Sequence, residues 1–288
     1  MAGTKFAYVK SFELPDVLLP GTYILVRLDG HGFHRLSQDH NFSKPNDERA
    51  LRLMDHAARD VLNEFKDIVI AFGESDEYRL VFTHFLFRKS TQVYNRRHAK
   101  IVTTVTSLFT SSYVFNWSKY MTDTPLQYPP SFDGRAVLYP SPQEVRDYFS
   151  WRQADTHINN LYNTTFWALV QQDGQTPTEA HAALRGTVAK TKQELLFSRY
   201  GTNYNSLPER YRKGSVLTAE HTEATRPDIA ENSGDASTVT PATRAEEGSG
   251  VVASRSKSKK SKVRTEVVLY HCDIIDPSFW GARPRLLQ

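Results

Sequence analysis

The stretch Ile68-Val-Ile-Ala-Phe72-Gly73-Glu74-Ser75-Asp76-Glu77-Tyr-Arg-Leu-Val-Phe82 decides the fold class. Two apolar, β-branched runs at 68–72 and 77–82 flank a short polar turn containing Gly73, so they read as the two strands of one hairpin. Upstream, Thr22-Tyr-Ile-Leu-Val-Arg-Leu28 reads as a buried strand ending at Asp29-Gly30. Between this strand and the hairpin lies an amphipathic helix. Pro45-Asn46-Asp47 caps it, and Ala50, Leu51, Met54, Ala57, Ala58, Val61, Leu62 and Phe65 recur at helical spacing. Beyond the hairpin the pattern predicts a helix over 91–119, a strand over 135–139 and two helices over 142–151 and 153–172. The order β-α-β-β-α-β is that of an α+β, ferredoxin-like antiparallel sheet with helices on one face, extended here by a helical C-terminal region.

The 288 residues have the composition of a globular chain, which excludes a collagen-like, disulfide-rich or wholly disordered protein. A single cysteine, Cys272, allows neither an internal disulfide nor a cysteine-built zinc site, and it points to a reducing compartment, cytoplasmic or nuclear. No run approaches the roughly 20 apolar residues of a membrane helix, and 1–12 lacks the apolar stretch of a secretory signal. The net charge of +4 permits a polyanionic partner without requiring one. One segment stands apart. Residues 218–262 contain no aromatic residue and end in a basic run, so they read as a low-complexity disordered insertion; the basic end also has the composition of a nuclear-import signal or an RNA-contacting tail. The expected organisation is a catalytic domain over 1–139, a helical region over 140–217, the insertion over 218–262, and a C-terminal strand and tail over 263–288, with the strand at 266–275.

Two acids occupy strand ends, Asp29 after the first strand and Asp76 at the hairpin, with Glu77 following it. A lone strand-end aspartate is ordinarily a cap or turn former. Two converging on one sheet edge are hard oxygen ligands suited to Mg²⁺, and Gly30 lets its backbone carbonyl join them. Two such ions about 4 Å apart activate an attacking hydroxyl and stabilise a leaving oxygen. Arg96 and Lys100, four apart on the predicted helix, and Arg97 beside them read either as a solvated face or as a cradle for a triphosphate. Lys44, just before the first helix, reads either as surface or as a phosphate contact at that helix's positive end. In 155–167, His157, Asn160 and Thr164 fall on one helical face and Asn159 and Asn163 are four apart. Residues so poor at forming helices suggest a polar surface that reads bases, sugars or phosphates.

Five motifs in order resemble those of the tRNA-histidine guanylyltransferase family, in its eukaryotic form. They are Arg27-Leu-Asp29-Gly30-His-Gly-Phe33-His34, Lys44-Pro-Asn46-Asp47, Gly73-Glu74-Ser75-Asp76-Glu77-Tyr78, His157-Ile-Asn-Asn-Leu-Tyr-Asn163 and Gly201-Thr-Asn203-Tyr-Asn205. The likeness runs from about 5 to 218 and resumes at 271–275. It implies a palm domain like that of 5′-to-3′ polymerases and cyclases, binding two Mg²⁺ through Asp29, Asp76 and the Gly30 carbonyl. It implies guanosine addition to the 5′ end of tRNA-His in the 3′-to-5′ direction, using ATP and GTP, by a homotetramer built as a dimer of dimers. By matching positions, Asp29, Gly30, His31, Gly32, Phe33, His34, Ser75 and Asp76 would hold nucleotide, with Glu77 a neighbouring acid. Lys44, Asn46 and Asp47 would act at the activated 5′ end, and Arg96, Arg97 and Lys100 on a second triphosphate. His157, Asn160, Asn163, Lys192 and Asn203 would serve tRNA recognition or activation. A cyclase, a template-dependent polymerase repairing truncated tRNA 5′ ends, and a tRNA-binding protein without catalysis are the rival functions. Deletion of 219–262 is expected to leave catalysis within about tenfold of the intact chain, or 1.4 kcal/mol, when both are compared in one turnover assay.

Overall fold

The computed structural model describes residues 4–76, 80–222 and 264–288. Its centre is one six-stranded sheet in the order β4-β1-β3-β2-β5-β6. The strands are β1 (Tyr23–His31), β2 (Ile68–Asp76), β3 (Leu80–Phe87), β4 (Ser131–Tyr139), β5 (Ser215–Thr222) and β6 (Arg264–Tyr270). β1 pairs antiparallel with both β3 and β4, and β2 pairs antiparallel with β3 and β5. The predicted hairpin is present, with Asp76 opposite Leu80, while Glu77 lies outside the described residues. Contacts divide the chain into a body, Met1–Ala219 with Val267–Gln288, and a second unit, Glu220–Glu266, whose described part is the outer ends of β5 and β6. β5 runs to Thr222, so regular structure continues four residues past the expected start of the insertion; the rest of that segment lies outside the described residues.

Helices cover both faces of the sheet, which corrects the expectation of one. Side chains alternate across a strand, and in β1 both sets are apolar. Ile24, Val26 and Leu28 pack with α2 (Glu48–Glu64) and α3 (His98–Phe115). Tyr23 and Leu25 pack with Val145 and Phe149 of α5 (Pro142–Gln171), and with Phe279 and Trp280 of α9 (Pro277–Gly281). The continuous apolar run in β1 is what a strand buried on both faces requires. Its second layer comes from segments distant in the chain.

α5 is a single helix where two were expected. No glycine or proline interrupts it after Pro142, and the residues at the anticipated break are anchored. Gln153 donates to the carbonyls of Lys213 and Cys272 and accepts from the amide of Ile274, at 2.8–2.9 Å. Past α5 come α6 (Pro177–Leu184), α7 (Ala189–Tyr200) and α8 (Glu209–Lys213), which form the helical C-terminal region. Two short helices complete the set, α1 (Phe33–Asp39) directly after β1 and α4 (Trp117–Tyr120) after α3. The expected strand at 266–275 ends at Tyr270, before α9.

The helix predicted over 91–119 begins only at His98. Tyr94, Asn95 and Arg96 have φ of 50, 54 and 57°, so the chain turns left-handed just where helical continuation was expected. The cause is Arg96. The residue is 2% exposed, and its guanidinium donates to the carbonyls of Leu18, Leu19, Thr22 and Thr91 and to the Thr22 hydroxyl. An arginine spent on backbone acceptors at the entry to β1 is a structural clamp that offsets the strain of the turn. Arg96→Met should therefore cost roughly 3 kcal/mol or more, because several buried acceptors lose their donor, whereas Lys100→Ala should stay within about 0.5 kcal/mol. Urea unfolding of both variants checks this, and equal stabilities would contradict the clamp.

Candidate active site

Asp29 ends the apolar part of β1 on the face that Tyr23 and Leu25 share with α5. It is 8% exposed, and its Oδ1 is buried with no hydrogen-bond partner among the described residues. Its Oδ2 lies 3.6 Å from Arg27 Nη2. Directly across in β4 stands a second acid, Asp133. Burial, and then the Asp133 charge, push the Asp29 carboxyl above the usual carboxylate range; Arg27, Arg135 and His31 oppose this only in part. A buried carboxylate oxygen without a donor, facing another carboxylate, suits a hard divalent cation. The next residue must be glycine, because a Cβ on Gly30 would lie 2.4 Å from the Phe33 ring.

That ring is core rather than nucleotide surface, which corrects the expectation for its side chain. Phe33 is 5% exposed and packs against Phe132 and Tyr113, with centroids 4.9 and 5.8 Å away. His31, Gly32 and His34 are exposed around the start of α1, where Gly32 takes a φ of 67°. A cavity of about 240 Å³ opens beside them, lined by His31, Gly32, Arg35 and the 128–131 segment.

β3 separates the two expected metal ligands. Asp29 is level with Phe82, which is level with Glu74; Asp76 falls two residues further toward the hairpin turn. Their backbones are therefore two strand spacings apart, about 10 Å laterally, on the same end of the sheet. Ser75 precedes Asp76 at the register of Val81.

Behind this row lies a buried polar network that the sequence reading did not identify. Glu74 accepts from Arg152 Nη1 at 2.9 Å and from the Thr156 hydroxyl at 2.6 Å. His84 approaches the same carboxylate at 3.7 Å and shares a 2.9 Å hydrogen bond with the Tyr148 hydroxyl. Burial alone would raise the Glu74 carboxyl, but its contacts with His84, Thr156 and Arg152 bring it below the usual range. The only hint in the sequence is the acid within a strand at position 74.

The polar stripe of α5 continues away from this network, and much of it is engaged within the chain. Asn160 is 4% exposed; its Oδ1 accepts from Asn46 at 3.0 Å and its amide donates to the Tyr204 hydroxyl at 3.1 Å. Asn163 is equally buried. Asn160 is thus engaged within the chain, and both side chains are buried, where tRNA recognition or activation was expected of them. His157 is half-buried, edge-on to Tyr204 at 5.3 Å, and burial followed by the Arg212 charge lowers its pKa, so the ring is neutral at pH 7. Lys44 reaches Ser37 Oγ at 3.2 Å and lies 5.7 Å from the Trp167 ring centre. Asp47 caps α2, accepting from the amides of Ser43, Arg49 and Ala50 and from the Arg49 side chain. Its place is thus structural, as a helix N-cap requires. Lys192 donates to the Thr187 carbonyl at 2.7 Å, and Asn203 is exposed and caps the short 3₁₀ turn Tyr204–Ser206.

The three expected phosphate cations are not here. The Leu18 amide bonds the Arg96 carbonyl and Val17 bridges Arg97, which puts Arg96, Arg97 and Lys100 at the entry to β1. Asp29 is six residues along that strand, about 20 Å away. Arg96 is also buried and fully engaged, so within one chain this trio does not cradle a phosphate at the carboxylate row.

Residues 6–140 match the family described as tRNAHis guanylyltransferase, and residues 143–276 match the Thg1 C terminal domain. A tRNA(His) guanylyltransferase of Neurospora crassa is 48% identical over 292 residues, covering 100% of this chain and 97% of that protein. The crystal structure of the Saccharomyces cerevisiae enzyme superposes with a TM-score of 0.70 at 49% identity, covering 74% of this chain and 93% of that one. A bacterial tRNA(His) guanylyltransferase-like protein solved with ATP shares the fold, with a TM-score of 0.60 at 22% identity over 73% of this chain and 85% of that one. The fold and these relatives are those of a nucleotidyltransferase family. The chain belongs to the tRNA(His) guanylyltransferase family.

The raised pKa of Asp29 has a measurable consequence. Its ionised form costs stability above the ordinary carboxylate pKa, and that cost disappears as the pH falls and the group protonates. Asp29→Asn should therefore raise the metal-free melting temperature at pH 7 by ~2–4 °C, the equivalent of about 1 kcal/mol. The gain should shrink toward pH 4, and Mg²⁺ should stabilise the parent protein more than the variant. Melting curves across pH with and without Mg²⁺ measure all three, and a variant less stable at pH 7 would contradict the account.

Proposed function

We propose that the chain adds a guanosine to the 5′ end of tRNA-His by 3′-to-5′ nucleotide addition. The observation that carries this is the buried Asp29 oxygen, without a hydrogen-bond partner among the described residues, which lies beside Asp133 and next to the hairpin whose first strand ends at Asp76. The strand order β4-β1-β3-β2 and the β-α-β-β-α-β connectivity support a ferredoxin-like, palm-type core for this chemistry. Asp29, the Gly30 carbonyl and Asp76 are the residues suited to hold Mg²⁺, two ions in this reading. When bound, the ions lower the pKa of an attacking hydroxyl and neutralise phosphate charge.

In this reading ATP first adenylylates the tRNA 5′-monophosphate and releases pyrophosphate. The 3′-hydroxyl of GTP then attacks the activated phosphate and expels AMP, and pyrophosphate is finally removed from the added nucleotide. No side-chain nucleophile is required, so the protein's part is positioning and charge. The segment 29–34, with Ser75 and Asp76, holds the nucleotide, chiefly by backbone at 30–33. Lys44 supplies a cation near the 5′ end, with its loop held by the Asn46–Asn160 hydrogen bond. Neutral His157, with Lys192 and Asn203, contacts tRNA.

A homotetramer of the dimer-of-dimers kind accords with the exposed apolar N-terminal stretch, where Phe6, Phe12 and Leu14 are 61, 75 and 87% exposed. A reducing cytoplasmic or nuclear location accords with the single free cysteine.

Transfer of label from [α-³²P]GTP to 5′-monophosphorylated tRNA-His, run with and without ATP and Mg²⁺, tests the proposal. Label should enter tRNA-His and no other tRNA, require both ATP and Mg²⁺, and fall at least 10³-fold in Asp29→Ala, the scale of losing a principal electrostatic element. Equal labelling of any 5′-truncated tRNA would favour a repair polymerase. Unchanged activity in Asp29→Ala would rule out the carboxylate site.

A further inference from the structure

α5 crosses the sheet with two flanks. Gln153 marks one, since it bonds the Lys213 carbonyl just before β5 and the Cys272 carbonyl just after β6. Trp151 comes two residues earlier, about 200° around the helix, and so lies on the opposite flank. Tyr148 joins that flank to the other edge of the sheet: its ring centroid is 5.9 Å from Trp151 and 5.4 Å from Tyr139 of β4. The same turn of helix sets the level along the strands. Tyr148 bonds His84, which is level with Arg27, and Arg152 bonds Glu74, which is level through Phe82 with Asp29. Trp151 therefore overlooks the open β1–β4 half of this face, where Arg27 stands opposite Arg135 and Asp29 opposite Asp133.

The indole is held in place and yet left uncovered. The guanidinium carbon of Arg152 is 3.4 Å from its ring centre, and that guanidinium is fixed in turn by Glu74 at 2.9 Å and Asp155 at 3.1 Å. This cation–π contact occupies one side of the ring, and the residue remains 55% exposed. A large apolar side chain left in water forgoes the stabilisation of burial. Its fixed orientation means that a planar partner binds with little further ordering. A rigid aromatic face backed by a guanidinium is a surface on which a nucleobase stacks whatever its identity.

The position selects which base. In the reading above the free nucleotide is held at 29–34, from Asp29 outward to the end of β1 and into α1. Trp151 is level with 27–29, on the inner side of the metal ligands. Two substrates that react at one carboxylate row approach it from opposite sides, so the base on the inner side belongs to the RNA. We propose that Trp151 is the stacking platform for the first base of the tRNA, the base of the nucleotide whose 5′-phosphate reacts at the Asp29 row. This rests on the reading of Asp29 as a metal ligand.

The test uses the full-length chain with two probes, 5′-monophosphorylated tRNA-His and the same RNA with an abasic first residue, bound in Mg²⁺ without ATP or GTP. Trp151→Ala should weaken the intact RNA about fivefold or more, the lower end for one base on an aromatic side chain, and Trp151→Phe should recover part of the loss. Removing the first base should weaken binding to the parent by a similar factor and to Trp151→Ala by less than twofold, because the two changes remove one contact. In turnover, Trp151→Ala should raise the KM for tRNA while those for ATP and GTP move less than twofold. The melting temperature should stay within about 2 °C of the parent, as for an exposed side chain; if it falls further, Trp151→Phe with the two RNAs decides. Intact-RNA affinity within twofold of the parent in Trp151→Ala overturns the proposal, and so does an equal effect of the abasic residue on parent and variant. A larger rise in KM for ATP or GTP than for tRNA overturns it too, since the stacked base would then be the free nucleotide's. A protein that shows the coupling but labels no tRNA would contradict the function proposed above and leave this assignment intact. A protein without the coupling whose Asp29→Ala variant is inactive would do the reverse.

Discussion

The buried contact between Glu74 and Arg152 is the constraint on which the site depends. It joins β2, the strand that ends at Asp76, to α5, the helix that carries His157, Asn160 and Asn163. Thr156 and His84 complete it from either side. Such a pair contributes little net stability over a well-packed apolar alternative, since both charges are desolvated. What it contributes is register. Arg152 can meet Glu74 in only one rotation and translation of α5, so the polar stripe starts beside the Asp29 row and Asn160 lands against Asn46. A slide of one helical turn, about 5.4 Å, would leave a charge unpaired in the core.

The open half of the same face carries the opposite kind of electrostatics. In the Glu74 network each acid meets donors. In the β1–β4 rows acid meets acid and base meets base. Between the rows Arg27 reaches Asp29 Oδ2 at 3.6 Å, yet burial and the Asp133 charge still hold the Asp29 carboxyl above the usual range, and perturbed groups of this kind concentrate at functional sites. The ordering of the two halves follows from coverage. α5 seals the centre of the sheet, while β4, at its edge, remains accessible.

Much of the fold was legible because its signals are local. Capping by Asp47, the apolar spacing of α2 and the hairpin around Gly73 each depend on neighbours within a few residues. The misplacements have a common origin in contacts between distant segments. Arg96 turns the chain left-handed because carbonyls at 18, 19 and 22 need donors, so a helix expected from 91 starts at 98. The second helical layer was missed because half of it comes from α9 at the far end of the chain. Phe33 looked available beside Gly30, yet its ring fills the space that the missing Cβ leaves.

Taken alone, the sequence determined the class of elements, their order and the identity of the two strand-end aspartates, because side-chain periodicity and turn chemistry act over short distances. Five ordered motifs also sufficed to indicate the family. Which charges share a face was decided only by the tertiary structure. Strand pairing brings Asp133 to Asp29 and Arg135 to Arg27, and it carries Arg96, Arg97 and Lys100 to the opposite end of β1. Register and strand order are properties of the assembled sheet, set by what must be buried on each side, and no local pattern encodes them.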